Sequence, residues 1–534
     1  MPGAGETDTS NAGTVRDAAI DVLRRYELTT LFANPGSTEV PFLVGLPEDL
    51  DFVLALHEAS VVGLATGWAL ARGRPAIALL HTTAGLGNAV GALATARVNR
   101  APLVVLVGQQ DRRHLALDPF LAGRLEGLAG SYPVSVEQPV RAQDVPTAIA
   151  RAWHAARDER GPAVVIVPMD DWLEPAAGEP VSAPRASRRA RAVDPADLGE
   201  LAALLDSARS PVLVAGAGND SAEGWDALAA LADELAAPVW QEPFSARAGF
   251  PWDHRRFAGH LPPGRGALRR ALRPHDVVLV VGAPLLRQYG YEPGPLLEPG
   301  THAAVISDDA GEVRRSPAEI GVVADTAAAC RALAELVEAR SDIGSRPPAE
   351  PEPPDGALTA RHVLAALGER IAPETIVVEE APSSRADLLA ALPARRPMGF
   401  LSAAMGGLGF AIPAATGLRL ADPSRPVVAV VGDGSALYAI QGLWTAARYG
   451  AGVLVVVLAN GRYEIMDRLA GGRGPWPAFE EVDVGGLARS LGCPARTIES
   501  REQLAAALDE VVPDLDTTAT PLVLDVRVRS HDPG

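Results

Sequence analysis

A chain of 534 residues with 48% hydrophobic content is too long for one hydrophobic core and divides naturally into three domains of ordinary size. Its formal net charge of −18 repels a phosphate backbone and argues against nucleic acid as a partner, and no apolar run reaches the length of a membrane span. Two cysteines far apart in sequence, Cys330 and Cys493, make neither a disulfide framework nor a metal cluster, and the polar, Gly-rich start shows no secretory signal, so a cytoplasmic protein is expected.

In chain order, residues 1–14 read as a disordered tail. A helix–strand alternation follows, with a short strand over 31–33 ending in the turn Asn34-Pro35-Gly36-Ser37. A strand over 52–56 should deliver His57 and Glu58 at its carboxyl end. A helix over 61–71, rich in small residues, suits close packing on a sheet. Strand 76–80, a loop over 81–87, helix 88–97 and strand 103–107 complete the pattern of an N-terminal α/β domain over 15–180. Between 174 and 193 the composition shifts to Pro, Ala, Ser and Arg, which marks a linker. A middle α/β domain over 190–340 carries strands at 212–215, 277–281 and 303–306. Its Gly216-Ala217-Gly218-Asn219 is half of a dinucleotide fingerprint without the third glycine at the right spacing, so no FAD or NAD is expected. A Pro-rich second linker over 345–356 leads to a third α/β domain over 357–534, which ends on a strand at 521–528. The fold class is three doubly wound α/β domains with mainly parallel sheets.

The stretch 426–463 of the third domain is the most informative. An apolar, β-branched run over 427–431 suits a buried parallel strand and ends at Gly432-Asp433-Gly434-Ser435, with Ser435 near a helix start. A second such strand over 454–458 stops at Ala459-Asn460-Gly461. Asp433 and Asn460 are 460 − 433 = 27 residues apart, yet both fall at the carboxyl ends of neighbouring strands, where open α/β sheets bind ligands. A carboxylate, an amide oxygen and loop carbonyls are the hard ligands that Mg²⁺ prefers, and glycines with a helix N-terminus let backbone N–H groups approach phosphate. The residues therefore describe a Mg–diphosphate anchor. The same layout occurs near the N-terminus. From Pro75 the loop opens at His81, a step of 81 − 75 = 6, and from Pro426 at Gly432, a step of 432 − 426 = 6. The following strands end at Gly108 and Asn460, steps of 33 and 34, so the first and third domains read as a duplicated pair.

GDGS followed by Asn460-Gly461 resembles the diphosphate signature of thiamine-diphosphate (ThDP) enzymes. Asn34-Pro35-Gly36-Ser37, His57-Glu58-Ala59, the 80–85 segment LHTTAG, Gly108-Gln109-Gln110, Asp170-Asp171-Trp172, Gly282-Ala283-Pro284 and the 406–410 segment GGLGF occur in an order similar to the benzoylformate decarboxylase group of that family. The likeness runs from about Asp17 to the C-terminus. It implies ThDP with Mg²⁺ as cofactors, Ca²⁺ being a possible substitute, and a 2-keto acid as substrate. It also implies a homo-oligomer, at least a dimer and by resemblance a tetramer, with the cofactor shared between chains.

Carried over residue by residue, the resemblance makes Asp433 and Asn460 side-chain metal ligands and Arg462 a ligand through its carbonyl. Gly434, Ser435, Tyr463 and, less directly, Ser383 lie against the diphosphate. Gly406 receives the cofactor's amino group, Leu408 bends its two rings toward each other, and Asn34-Pro35 lies on the cofactor side of the first domain. Glu58 pairs with the aminopyrimidine; an apolar setting is expected to raise its pKa and let it share a proton with that ring. Read from residues alone, Glu58 is more readily a surface acid opening a helix, favoured there by the helix dipole, and it is the resemblance that assigns it the catalytic role. Ser37 would hold the substrate carboxylate and His81 relay protons, although a histidine at a strand end is by itself more often structural. Gln109 and Gln110 would help line the site.

The sequence departs from the family in four places. Ala459 replaces a second Asn, and Glu464 replaces a small residue and sets an acid near phosphate. Ile465, Met466 and Leu469 differ from the usual pocket residues. Tyr289 stands where the family has a second active-site histidine, unless it packs beside Tyr291. The expected reaction is decarboxylation of a 2-keto acid to an aldehyde, with an acetolactate-synthase-like carboligase or lyase as the alternative. A catalytically silent cofactor-binding scaffold is the alternative of another class.

Overall fold

The computed structural model describes residues 13–178, 180–341 and 357–530. The linker expected over 345–356 lies outside the described residues, as do residues 1–12 of the expected tail. Thr14, expected within that tail, belongs to the folded first domain. Thr14 already caps the helix Val15–Arg25, its side chain accepting from the Asp17 amide (3.2 Å) while Asp17 accepts from the Thr14 amide (2.9 Å).

Three six-stranded sheets follow one another along the chain. The first contains β1 (Thr30–Asn34), β2 (Asp51–Leu54), β3 (Ala76–His81), β4 (Leu103–Gln109), β5 (Ser135–Glu137) and β6 (Pro162–Pro168). The second contains β7 (Pro211–Ala215), β8 (Val239–Gln241), β9 (Phe257–His260), β10 (Val277–Val281), β11 (His302–Ser307) and β12 (Ile320–Val323). The third contains β13 (Ile376–Glu380), β14 (Phe400–Ser402), β15 (Val427–Gly432), β16 (Leu454–Ala459), β17 (Ala495–Ile498) and β18 (Leu522–Arg527). All ladders between these strands are parallel. This agrees with their continuous apolar runs, since parallel sheets are covered on both faces.

Numbered from one within each sheet, the first and third both run 2-1-3-4-6-5, whereas the second runs 6-5-4-1-2-3. The first and third domains are thus one topology used twice, as the matching spacings anticipated. The second has the dinucleotide-fold order read from the opposite edge. At its switch point the glycines serve contacts within the protein. The Gly218 amide donates to Gly282 O (2.8 Å), and Arg247 donates to Ala217 O (3.1 Å).

Two local expectations need correction. Strand β2 stops at Leu54, and His57 caps the helix Glu58–Arg72 by accepting from the Ala59 amide (3.1 Å), so Glu58 is a first-turn helical residue. The stretch expected as a loop over 81–87 is helical, because the helix Thr82–Val98 starts directly after β3. This direct entry puts Thr82 at φ 40°, a left-handed value that a β-branched residue rarely adopts. The Glu58–Arg72 helix packs on its sheet as expected, and its small residues also pack against another helix, Ala411–Ala421 of the third domain. A Cβ on Gly67 would lie 2.0 Å from Ala414 O, and one on Gly417 would lie 2.0 Å from Leu64 O. The contact is reciprocal, with 414 − 64 = 417 − 67 = 350, close to the repeat spacing. Forcing the helices apart to admit a side chain would cost on the order of 1–3 kcal/mol.

The domains also meet at Asn99, at the end of helix Thr82–Val98. Its amide donates to Ser402 O (2.9 Å) and accepts from the Ala404 amide (3.0 Å), while its carbonyl accepts from Arg247 (2.8 Å). This junction fixes the chain leaving β14, which leads to Gly406.

Candidate active site

Strands β15 and β16 are neighbours, with Gly432 beside Leu458, so Asp433 and Asn460 emerge side by side. Asp433 is buried, and its two carboxyl oxygens accept from the amides of Gly434 (2.8 Å) and Gly461 (2.6 Å). Burial nonetheless pushes its carboxyl above the usual range, outweighing those donors. A buried carboxylate in that condition calls for a cation. Asn460 accepts from the Arg462 amide (3.2 Å) through Oδ1 and donates from Nδ2 to Glu464 (2.7 Å). Gly434 has no room for a side chain, since a Cβ would sit 2.6 Å from the Tyr463 ring, which in turn meets Phe479 edge-on at 5.0 Å. Ser383 enters from the turn after β13, its hydroxyl accepting from the Ile465 amide (3.0 Å).

These residues surround one cavity of about 60 Å³, lined by Ser383, Leu408, Asp433, Gly434, Ser435, Asn460, Arg462 and Tyr463 among others. Every candidate from the third domain except Gly406 contributes to it. Two larger cavities, of about 560 and 470 Å³, contain none of the predicted residues; size does not mark the site here. A buried carboxylate with a half-buried amide oxygen beside a helix start, and a glycine whose backbone is open to close approach, fit Mg²⁺ and a diphosphate. Glu464, expected to disturb the phosphate end, is buried and ion-paired with Arg468.

Gly406 lies at φ 71°, a conformation suited to glycine, and Leu408 is partly exposed beside it. The loop is held from behind by Glu380, a residue that the sequence did not single out. Its carboxyl accepts from the amides of Gly409 (2.6 Å), Phe410 (2.8 Å) and Ala411 (2.6 Å), so it caps the helix Ala411–Ala421. Burial pushes this carboxyl up to about 7, against the opposite effect of those three donors. The only advance signal was an acid at the end of an apolar strand.

In the first domain, Glu58 is buried and accepts from Asn34 Nδ2 (3.0 Å) and Asn88 Nδ2 (3.1 Å). Its setting is therefore polar, which corrects the apolar environment expected for it. Asn34 ends β1 and starts the turn with Pro35, while Asn88 comes from helix Thr82–Val98. His81 ends β3. Its Nδ1 lies 3.0 Å from Glu39 Oε2 and 3.0 Å from Thr38 Oγ1. Glu39 is buried and also accepts from the Gly36 amide (2.7 Å) and the Thr38 hydroxyl (2.6 Å). A Cβ on Gly36 would fall 2.4 Å from the imidazole, and one on Gly108 would fall 1.8 Å from the Glu39 carboxyl. The two glycines thus make space for a histidine–carboxylate pair in which Nδ1–H points at Glu39 and Nε2 is left for other partners. Glu39 was not legible in the sequence as a partner of His81, 81 − 39 = 42 residues on.

Glu39→Gln keeps an acceptor for Nδ1–H but removes the charge that would steady an imidazolium. Turnover is expected to fall roughly 10²-fold, the lower end of an acid–base contribution, with cofactor affinity unchanged by calorimetry. Wild-type turnover would mean that the pair is purely structural.

Ser37 is exposed on the turn beside this pair. Tyr289 lies on a loop of the middle domain with its amide donating to Pro263 O (3.0 Å) and its side chain 72% exposed. Among the described residues no ring pair joins it to Tyr291, whose ring has the Arg265 guanidinium over it at 5.6 Å. Among the described residues no hydrogen bond joins Glu58 or His81 to Asp433 or Asn460.

Three family descriptions match the chain. They are "Thiamine pyrophosphate enzyme, N-terminal TPP binding domain" over residues 13–127, the central domain over 198–333 and the C-terminal TPP binding domain over 384–526. The chain belongs to the thiamine-diphosphate-dependent enzymes. Within them it stands with the decarboxylases of the benzoylformate type. It is 38% identical to benzoylformate decarboxylase of Pseudomonas aeruginosa, with 97% of this chain and 100% of the relative covered. It superimposes on a thiamine diphosphate-dependent 4-hydroxybenzoylformate decarboxylase of Rhodococcus jostii with a TM-score of 0.92 at 33% identity, covering 97% of this chain and 100% of the other. Acetolactate synthase large subunit of Parasynechococcus marenigrum is also similar, at 28% identity over 98% of this chain and 89% of the relative. Among the described residues no helix is long and apolar enough to cross a membrane.

Proposed function

We propose that this enzyme is a Mg²⁺-dependent decarboxylase of a 2-keto acid of the benzoylformate kind, yielding an aldehyde and carbon dioxide. The observation that carries the reading is the cavity at the ends of β15 and β16, where Asp433, Ser435, Asn460 and Tyr463 meet. When bound, thiamine diphosphate supplies an electron sink for the pair released as the carboxyl carbon departs. Asp433, Asn460 and the Arg462 carbonyl would hold Mg²⁺, with Ca²⁺ as a substitute, while Gly434, Ser435, Tyr463 and Ser383 face the diphosphate. Gly406 would receive the cofactor's amino group, Leu408 would support its bend, and Asn34 and Asn88 would orient the carboxyl of Glu58 toward its pyrimidine. The bond between the carboxyl and keto carbons breaks, carbon dioxide leaves, and a proton is delivered to the former keto carbon. His81, oriented by Glu39, is placed to relay that proton. Ser37 would hydrogen-bond the substrate carboxylate, and Tyr289 would enter the site where the resembled family has a second histidine.

We assign a homo-oligomer, at least a dimer and by resemblance a tetramer, with the site shared between chains. In support, Met405, Leu408, Leu437, Tyr438 and Met466 are all exposed around the C-terminal half-site, an apolar rim of the kind covered by a partner. The free, buried Cys330 and Cys493 suit a reducing cytoplasm.

The test is carbon dioxide release across aromatic and aliphatic 2-keto acids with identification of the organic product. Aldehyde from an aromatic acid is expected. A hydroxyketone as main product would favour the carboligase reading, to which the likeness with acetolactate synthase lends support. No release from any acid would leave the scaffold reading standing.

A further inference from the structure

Glu464 stands at the first position of the helix Glu464–Ala470, buried at 5% exposure and lining the proposed diphosphate cavity. Charge alone makes it a liability, since an acid there should repel phosphate. The geometry gives it a different part. Its Oε2 accepts from Asn460 Nδ2 (2.7 Å), and its Oε1 pairs with the guanidinium of Arg468 one turn on. Arg468 in turn donates to Ser383 O (2.8 Å), and the Ile465 amide donates to the Ser383 hydroxyl (3.0 Å), so the helix start is pinned to the opposite wall of the cavity.

A side-chain amide has two ends, and only the oxygen can ligate a cation. Here both ends are assigned by their partners: a carboxylate accepts only from the NH₂ end, and the Arg462 amide donates only to the oxygen, at 3.2 Å. We infer that Glu464, anchored by Arg468, is a positioning residue that locks the Asn460 amide so that Oδ1, with one lone pair still free, is the end offered to the cation. The inference rests on the Mg²⁺–diphosphate reading of this cavity. It concerns this chain in particular, because a small residue at 464 would leave Nδ2 without this acceptor.

Two opposing effects of Glu464 therefore predict opposite signs. If repulsion of the diphosphate dominates, removing the carboxylate tightens binding; if orientation of Asn460 dominates, removal weakens it. The Arg468 pairing decides between them, since a neutralised acid repels little while its hydrogen bond persists.

The experiment is calorimetric titration of Mg²⁺ into the full-length protein at saturating thiamine diphosphate, for wild type, Glu464→Ala and Glu464→Gln. Circular dichroism confirms that each variant is folded. Glu464→Ala is expected to raise the Mg²⁺ concentration for half-saturation about 10-fold or more, the scale of losing a partner that orients a ligand. Glu464→Gln, which keeps an oxygen acceptor for Nδ2, should restore the wild-type value to within a few-fold. An unchanged or lower Mg²⁺ requirement in Glu464→Ala would overturn the inference and leave the cofactor reading intact. Absence of Mg²⁺-dependent binding in the wild type would remove both together.

Discussion

Asp433→Ala is expected to abolish Mg²⁺-dependent binding of thiamine diphosphate, leaving no saturable heat in calorimetry at millimolar metal. Asp433 is a buried carboxylate that follows β15 directly and lines the cavity, and the backbone amides of Gly434, Gly461 and Asn460 offset its burial only in part. On the proposed reading, Asp433 would hold a divalent cation that offsets the cost of burying its charge and the charge of the diphosphate; alanine would remove that ligand. The fold should survive, because the Gly434 and Gly461 amides that lose their acceptor lie beside a cavity that admits water. Cofactor affinity equal to wild type would remove Asp433 from the anchor and with it the assignment of the pocket.

Glu58→Gln should bind the cofactor normally yet turn over slowly, by a factor on the order of 10² to 10⁴. Gln is nearly isosteric, so packing at the start of the Glu58–Arg72 helix is preserved, and one of the two asparagine amides can turn over to present its oxygen to the new NH₂. What is lost is the ability to hold and return a proton. The measurement is the rate of exchange of the cofactor's C2 proton together with kcat. Exchange at the wild-type rate would assign Glu58 to structure alone, as the acid that opens a helix.

The contrast between Asp433 and Glu58 shows what the sequence could disclose. Asp433 was legible because its chemistry is local: strand, turn, helix start and the next strand end all fall within a single βαβ unit, and the fold confirms their adjacency. Glu58 was legible as a position but not as an environment. Its donors Asn34 and Asn88 come from 24 residues before and 30 residues after it, and only the sheet brings them together. For the same reason Glu39 and Glu380 went unnoticed. The first meets His81 across two strands, and the second reaches amides 29 to 31 residues downstream. The loop expected over 81–87 failed differently. Its Thr and Gly content disfavours a helix by propensity, and tertiary packing overrode that preference at the cost of a left-handed Thr82. The acid at 464 was read by its charge alone, although Arg468 four residues later already offered the helical spacing for a pair.

The mutual seating of Gly67 and Gly417 has a consequence for dilution experiments. Two copies of one topology grip each other through equivalent surfaces, as two identical subunits would about a twofold axis, yet both belong to the same polypeptide. Their association is unimolecular, so its equilibrium carries no concentration term and no dilution can separate them. If activity fades on dilution at saturating cofactor and metal, the cause would therefore lie in contacts between chains, because the N- and C-terminal halves of each chain stay engaged.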